Sequence, residues 1–282
     1  MKKSTIIWLI VAAALTLSGA LIFTGVMSSV AWDFTILASD KYVTNTYEIT
    51  DDFKDISINL SSSDISVLPS EDGVCRVVCV EEKKIVHKVV VEGETLRITE
   101  NDTRKWYEYI GIGIGNTSIT IYLPKPAYNA IMVTGSTCDV SIEGLTVREL
   151  SFKLSTGDVS IKNITCTGNT YLQNSTGDTV IENASLRSLI NSAGTGDITL
   201  ENVIAQEKFE IARSTGDVKF ISCDASEIQV ETGTGSVTGT LLTDKIFTAT
   251  TSTGDVKVPY CIEGGKCEIT TSTGDIVISI AQ

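Results

Sequence analysis

The sequence predicts an all-β protein in which a β-solenoid (a parallel β-helix-like stack) of about eight coils follows a β-rich N-terminal cap and one N-terminal transmembrane helix. Three observations lead to this prediction. A tetrapeptide, STGD or GTGD, recurs along the second half; apolar and polar residues alternate around each copy; and a long uncharged stretch lies near the N-terminus. The predicted segments are a signal anchor or transmembrane helix at 1–32, a linker at 33–44, the cap at 45–125 and the repeats at 126–282.

The N-terminal stretch begins after Lys2 and Lys3 and contains no further charge until Asp33. It exceeds the roughly 20 residues that span a bilayer and the apolar region of about 7–15 residues found in cleaved signal peptides. We therefore predict an uncleaved signal anchor, with cleavage after the small residues 29–31 as the alternative. Because the two lysines favour the cytoplasmic side, both interpretations place the bulk of the chain outside the cytoplasm.

Residues 45–125 show β patterns that are less regular than those of the repeats. The stretch 55–69, DISINLSSSDISVLP, resembles an irregular repeat, since Asp64 is followed by Ile65 and Val67 one and three residues later. The stretches 74–80, 85–99 and 117–124 have the composition of strands. We expect this region to start the stack of coils and to cover its first strand edge.

The repeats become visible when the last residue of each tetrapeptide is taken as a marker. Successive markers are separated by 19, 20, 19, 20, 19, 19 and 20 residues. They are Asp139, Asp158, Asp178, Asp197, Asp217, Ser236, Asp255 and Asp275. The residues one and three places after each marker are mostly apolar and the residue between them is mostly polar. That alternation is typical of a half-buried strand.

Each repeat therefore holds two or three short strands with one apolar side, which a single repeat cannot bury alone. Stacked in parallel at about 4.8 Å, equivalent strands would bury these sides in continuous ladders. We expect the solenoid to be right-handed, since parallel crossovers prefer that hand. An antiparallel sandwich is the alternative, but it does not explain the same turn in each repeat.

Several stretches together carry a family resemblance. They are the N-terminal anchor, VTNTYEITDDFKDISINLSSSDISVLPSEDGVCRVVC, NTSITIYLPKPAY, and the iterated STGDV and TGDI turns. In these features the chain, over about residues 40–282, resembles the bacterial family called domain of unknown function 4097, β-strand-repeat proteins described as candidate adhesins. The resemblance implies a β-solenoid-like fold and a setting in the bacterial envelope. It implies no established activity and supplies no catalytic residues.

The tetrapeptide is interpreted as a corner of the coil. Glycine adopts positive φ at little cost, and Asp, Ser and Thr side chains accept hydrogen bonds from nearby backbone N–H groups. Structural turns are predicted at Gly157, Asp158, Gly177, Asp178, Gly196, Asp197, Gly216, Asp217, Gly254, Asp255, Gly274 and Asp275. The alternative is a calcium ladder made by the stacked carboxylates of Asp158, Asp178, Asp197 and Asp217. Because Ser236 replaces Asp in one corner and Cys138 replaces glycine in another, we favour structural turns and predict no metal site.

The sequence predicts neither an enzyme nor a bound cofactor. Steps of 19 or 20 residues leave no room for the long loops that wall the clefts of polysaccharide-cleaving β-helices. His87, the single histidine, is predicted on a strand surface, and one histidine argues against a zinc site or a Ser-His-Asp set. GIGIGN at 111–116 lacks the spacing and the following helix of a nucleotide loop. The net charge of −13 argues against nucleic acid as a partner.

Seven cysteines at irregular spacing do not make a disulfide framework. We interpret them as small buried hydrophobic residues, and leave open hairpin disulfides between Cys75 and Cys79 or between Cys261 and Cys267.

An aromatic cluster, Trp106, Tyr107 and Tyr109, lies in a predicted loop. Because exposed aromatic residues grip sugars or partner proteins, this cluster is the predicted binding surface outside the coils. Packing beneath the cap is the alternative.

These features predict a membrane-anchored, extracytoplasmic, non-enzymatic binding or scaffold module, adhesin-like, at the bacterial cell envelope. The alternative is a sensory or regulatory ectodomain that reports envelope stress through a membrane partner. The chain stops at Gln282, four residues beyond Ile278. We therefore expect the last coil to present an unpaired strand edge, and self-association or a partner protein at this C-terminal end.

Overall fold

The computed structural model describes residues 3–29, 42–104, 117–124 and 127–281. Two compact units are present, one containing the N-terminal helix and the other the strands from Val43 onward. Residues 33–41 of the predicted linker lie outside the described residues.

Helix α1 (Lys3–Ser29) is formed by the uncharged N-terminal stretch. Its segment Thr5–Gly25 has a mean hydropathy of 2.5 over 21 residues. In the described part of the chain, α1 is the one helix long and apolar enough to cross a bilayer, by length and composition alone. The predicted helix is therefore present, and a signal sequence would satisfy the same criterion.

The second unit is built of strands that belong to one 20-stranded sheet. The strands are β1 (Tyr42–Ile49), β2 (Asp55–Leu60), β3 (Asp64–Pro69), β4 (Cys75–Glu82), β5 (Ile85–Glu92), β6 (Thr95–Asp102), β7 (Ser118–Leu123), β8 (Tyr128–Thr137), β9 (Val140–Glu143), β10 (Thr146–Thr156), β11 (Val159–Lys162), β12 (Thr165–Thr176), β13 (Thr179–Thr195), β14 (Ile198–Thr215), β15 (Val218–Thr234), β16 (Val237–Leu241), β17 (Lys245–Thr253), β18 (Val256–Lys257), β19 (Gly265–Thr273) and β20 (Ile276–Ile280). The prediction of a strand-rich chain behind one apolar helix is confirmed.

The repeats pair in parallel with the register that the markers predict. Val159 pairs with Val140 on one side and with Thr179 on the other, and Thr179 pairs in turn with Ile198. We call the strands of one repeat, together with its corner, a layer. Equivalent inward residues of successive layers are buried, as Ile142 and Ile161 illustrate. The period read from the sequence is thus the offset between paired strands.

A second corner follows each marker by five residues in the central layers. Asn163, Asn183 and Asn202 have φ of 54°, 52° and 52° there, and Ser222 has φ of 53°. Asn tolerates this left-handed conformation better than most residues, because its short polar side chain bonds locally. The side chains also bond between layers, since Asn202 Nδ2 donates to Asn183 Oδ1 at 3.1 Å.

The first and last layers are not in chain order. Strands β2 and β3 lie between β6–β7 on one side and β8–β9 on the other. Beyond β6 and β7, the antiparallel strands β5 and β4 cover that end of the stack. At the opposite end, β19 pairs with both β15 and β17, and β20 pairs with both β16 and β18.

The expectation that the last coil presents the unpaired edge is therefore wrong. The layer with pairing on one side only, among the described residues, is β17–β18, which comes one repeat earlier in the sequence. The physical reason lies in the two sequences that compete for the interior. Strand β20 reads IVISI and buries Ile276 and Ile278, whereas β18 is two residues long, contains Lys257 and is followed closely by Pro259. A short strand with a charge and a nearby proline suits an edge.

A substitution at a corner glycine tests the close stacking of layers. Gly177 has φ of +138°, and a Cβ built there would lie 2.0 Å from the carbonyl oxygen of Gly157. Because that neighbour is backbone, Gly177→Ala is expected to lower the free energy of unfolding by about 3–5 kcal/mol, in the range of a severe single substitution. Urea denaturation followed by circular dichroism measures the change.

The matched control is Gly93→Ala. Gly93 also has positive φ, +65°, but an added Cβ would meet nothing within 4 Å. Only the left-handed backbone penalty of about 1–2 kcal/mol is expected there. Equal losses in the two variants would contradict the stacking argument.

Candidate functional site

The corners of successive layers are joined by carboxylates. We call this row the carboxylate ladder. It comprises, in spatial order, Asp64, Asp139, Asp158, Asp178, Asp197, Asp217, Ser236, Asp275 and Asp255. In its central part each Asp accepts, through Oδ1, a hydrogen bond of 2.7–2.8 Å from the backbone N–H of the next member. Each of these carboxylates therefore satisfies a backbone donor that the turn leaves without a strand partner.

The corner glycines make this contact possible. Gly157, Gly177, Gly196 and Gly216 have φ between +129° and +144°, and Gly254 and Gly274 have +145° and +143°. A Cβ at any of them would lie 1.9–2.2 Å from a carbonyl oxygen of an adjacent layer. We infer that Gly and Asp of the corners serve the packing of layers.

The two exceptional corners keep the same contacts by other means. The N–H of Ser236 donates to Asp217 Oδ1 at 2.7 Å, and Ser236 Oγ accepts from the N–H of Asp275 at 3.2 Å. Cys138, which stands in place of a corner glycine, is buried, and a Cβ at Gly135 would lie 2.7 Å from its sulfur. Gly135, which lies three residues before Cys138 and pairs with Leu154 of the next layer, has no side chain and so leaves space for the thiol.

Polar side chains beneath the corners bind the glycine carbonyls. Each lies four residues before a marker: Asn174, Arg213, Thr232, Thr251 and Thr271 donate to Gly177, Gly196, Gly216, Gly274 and Gly235. Arg213 is 4% exposed, and its Nη2 also donates to Asn191 Oδ1 at 2.9 Å. Burial lowers the pKa of Arg213 to about 10, while Asp197 and Asp178 oppose this shift. Arg213 is thus a buried cation within the field of the ladder.

A shallow groove of about 450 Å³ runs beside the ladder and is rich in acids. Its lining includes Asp64, Asp139, Asp158, Asp178 and Glu182, with Lys162 as the one basic residue. Exposed carboxylates of this kind could bind a hard cation such as Ca²⁺. One oxygen of each ladder carboxylate, however, already accepts a hydrogen bond from a backbone N–H group.

A different cluster lies in the hairpin of β4 and β5. Glu81 is fully buried; its Oε1 accepts from Asn45 Nδ2 at 2.5 Å, and its Oε2 accepts from the backbone N–H of His87 at 2.5 Å. The ring Nδ1 of His87 lies 2.6 Å from the same Oε2. Cys79 is the third member, with its sulfur within 4.8 Å of a ligand atom of each of the other two. The prediction of His87 on a strand surface is therefore wrong, since it is 3% exposed.

The same histidine also faces a serine. Ser63 Oγ lies 3.5 Å from His87 Nε2, so that Ser63, His87 and Glu81 occur in the order of a hydrolase triad. Ser63 is only 5% exposed, however, and its hydroxyl lies 2.8 Å from Thr117 Oγ1. Because a substrate has little access to Ser63 and its hydroxyl is hydrogen-bonded to Thr117, we interpret this hydroxyl as structural.

All seven cysteines are free thiols, and six of them are buried. Burial raises the pKa of Cys75 to about 11 and that of Cys267 to about 12. Burial, together with the charge of Glu81, raises the pKa of Cys79 to about 12. A raised pKa keeps a thiol protonated at neutral pH as long as no metal is bound to it.

The end layer β17–β18 exposes apolar side chains. Ile246, Val256 and Ile262 are 46%, 42% and 75% exposed, and Tyr260 is 93% exposed. Residues 246–253, IFTATTST, contain neither a charged residue nor a proline. The predicted aromatic surface, Trp106, Tyr107 and Tyr109, lies outside the described residues, as does GIGIGN at 111–116.

Comparison with known proteins places these features in a family. Residues 53–282 match the family model described as Toastrack DUF4097. Among curated proteins, none matches the chain significantly. Solved structures resemble the fold: a candidate adhesin from Bacteroides fragilis is 22% identical with a TM-score of 0.57, covering 86% of this chain and 98% of its own. A candidate lipid-binding protein from Parabacteroides distasonis is 16% identical with a TM-score of 0.49, covering 86% of this chain and 100% of its own.

Substitutions at Asp178 separate a hydrogen-bonding role of the ladder from a calcium-binding one. Asp178→Ala removes the acceptor of the Asp197 N–H, and we expect it to lower the free energy of unfolding by about 1–2 kcal/mol. Asp178→Asn keeps an oxygen acceptor and removes one of several stacked like charges, so a change within about 0.5 kcal/mol is expected.

Thermal melting in buffer with added calcium and in calcium-free buffer without chelator completes this experiment. The wild type and Asp178→Asn are each expected to melt at the same temperature in both buffers. A calcium-dependent rise of the wild-type melting temperature that Asp178→Asn abolishes would instead support a cation ladder.

Proposed function

The chain belongs to the Toastrack DUF4097 family, and from that premise we propose that it is a non-enzymatic, adhesin-like binding or scaffold module at the bacterial cell envelope. In this proposal the parallel layers form a β-solenoid that is held outside the cytoplasm by α1. The structure of the Bacteroides fragilis protein supports the fold alone. The observation that carries the functional proposal is the contrast between the two ends of the stack.

One end of the stack is covered and the other is open. Strands β4 and β5 lie antiparallel across β7 and β6, whereas β17 and β18 have described partners on one side only. Lys257 and Pro259 protect the edge at β18, whereas residues 246–253 of β17 contain neither a charge nor a proline, and their N–H and C=O groups can pair with another chain. A module built in this way offers a defined place for assembly.

The occupant that we propose for this edge is a second copy of the chain. Lys245, the one charged residue of β17, is buried and paired with Asp224, and residues 246–253 carry no charge, so two copies of β17 meet without like-charge repulsion. When two β17 edges pair with each other, each copy uses the same surface, so the assembly closes as a dimer with two-fold symmetry. The exposed Ile246, Val256 and Tyr260 lie at or beside this edge and would add apolar contact.

A charge placed on the edge tests the dimer. Thr250 is exposed on β17, and Thr250→Lys would set two like charges against each other across the two-fold axis. We expect sedimentation of the full-length protein in detergent to show a dimer for the wild type and a monomer for Thr250→Lys.

The matched control is Ser192→Lys. Ser192 is exposed and occupies the equivalent register position several layers inside the stack, beside Gln173 and Ala212. This variant should remain dimeric. A monomeric wild type, or equal behaviour of the two lysine variants, would contradict association through β17.

Exchange of the membrane segment tests the scaffold role. If α1 serves as an anchor, replacing residues 1–32 with an unrelated single-pass helix of the same orientation should restore the envelope phenotype of a deletion strain. A regulatory ectodomain that signals through its own membrane segment would lose function in the exchanged chain. External protease acting on intact protoplasts reports on which side the strands lie, and their protection from it would overturn the extracytoplasmic placement.

A further inference from the structure

The hairpin of β4 and β5 brings three metal-ligating side chains together. Cys79 and Glu81 are two residues apart on β4 and therefore project to the same buried face. The turn after β4, where Glu82 pairs with Ile85, returns the chain so that His87 joins them. Sulfur, carboxylate oxygen and imidazole nitrogen lie within 4.8 Å of one another, and all three residues are buried.

The contacts around this cluster already orient two of its members. Asn45 holds Oε1 of Glu81, and the backbone N–H of His87 holds Oε2. The hydroxyl of Tyr47 donates to the His87 carbonyl at 3.2 Å. Such outer contacts fix the carboxylate and the ring in metal sites. They come from β1 and β5, so the cluster connects strands of the cap.

The cluster contains a carboxyl group, that of Glu81, with no exposure to solvent. Among the described residues, His87 is the one basic group bonded to the fully buried carboxylate of Glu81. A divalent cation bound to one thiolate, one carboxylate and one neutral imidazole gives a site of zero net charge, which burial favours over an isolated charge.

We propose that Cys79, Glu81 and His87 form a binding site for a zinc-class divalent cation in the cap. On binding, the Cys79 S–H bond breaks, the sulfur forms a bond to the metal, and the proton passes to solvent. The hydrogen bond between His87 Nδ1 and Glu81 Oε2 also breaks, and its proton moves by way of solvent to Nε2 of the ring, so that the imidazole stays neutral and both atoms are free to bind the metal. Zinc–ligand distances are about 2.0–2.3 Å, so donors of one zinc ion lie about 3–4 Å apart. His87 Nδ1 and Glu81 Oε2, now 2.6 Å apart, therefore separate slightly on binding, and the three donors already lie within 4.8 Å of one another. The mixed sulfur, nitrogen and oxygen donor set fits Zn²⁺ and Co²⁺, whereas Ca²⁺ and Mg²⁺ take oxygen donors.

This site does not depend on the proposed scaffold function. It would lock β4 and β5 to each other at the covered end of the stack, far along the chain from the open edge at β17–β18. This site is hard to predict from the sequence, because the spacing Cys-x-Glu followed by His six residues later matches no paired-cysteine zinc motif.

Cobalt is the probe that tests the proposal. The full-length protein, stripped of metal with chelator in detergent, is titrated with Co²⁺ and followed by absorption. We expect a thiolate-to-cobalt charge-transfer band in the near ultraviolet at one cobalt per chain, and its loss when Zn²⁺ is added in equal amount. Absence of the band in the wild type would overturn the proposal and leave a buried, hydrogen-bonded Glu81–His87 pair only.

Three variants identify the ligands. Cys79→Ser is expected to abolish the charge-transfer band, and His87→Gln to weaken binding at least tenfold. Cys75→Ser is the matched control, since Cys75 is also buried on β4 but lies outside the cluster; it should keep the wild-type band. A band that survives Cys79→Ser and disappears in Cys75→Ser would contradict the assignment, and far-ultraviolet circular dichroism shows that each variant is folded.

Discussion

The approach of one corner backbone to the next is the constraint on which the rest of the fold depends. A Cβ at Gly177 would lie 2.0 Å from the carbonyl of Gly157, so no side chain fits between these layers. Glycine is required for the positive φ and also for the space. With the corners held in contact, the strands that leave each corner are in register, and their inward residues form continuous apolar ladders. The backbone N–H of the Asp in each corner donates to the carboxylate of the adjacent layer.

Corners that stack on each other need not be consecutive in the sequence, as the last layers show. The carboxylate ladder passes from Ser236 to Asp275 and only then to Asp255. A corner is therefore interchangeable with any other corner, and the order of layers is decided by their strands. Where an apolar strand, β20, and a short charged strand, β18, compete for the interior, the apolar one is buried.

The sequence predicted what repeats and missed what occurs once. The period of 19–20 residues, the alternation and the corner glycines are repeated signals, and each returns in the structure. The exchange of the last two layers and the burial of Arg213 each depend on contacts between residues that are distant in the sequence. The Asn residues five places after three markers were a readable signal for the second corner. The burial of His87 was not readable, because Asn45 and Ser63 approach it only in the folded chain.

The distribution of polar contacts separates the chain into a uniform part and two distinct ends. In the central layers, side chains beneath the corners bind the same glycine carbonyls, so polar groups there serve packing. At the covered end, Glu81 and His87 form a buried ionisable pair that no repeat contains. At the open end, the exposed Tyr260 and Ile262 follow a strand whose other edge lacks a described partner. The corner contacts recur from layer to layer, whereas the Glu81–His87 cluster and the open edge of β17 each occur once, and the two proposals rest on these two features.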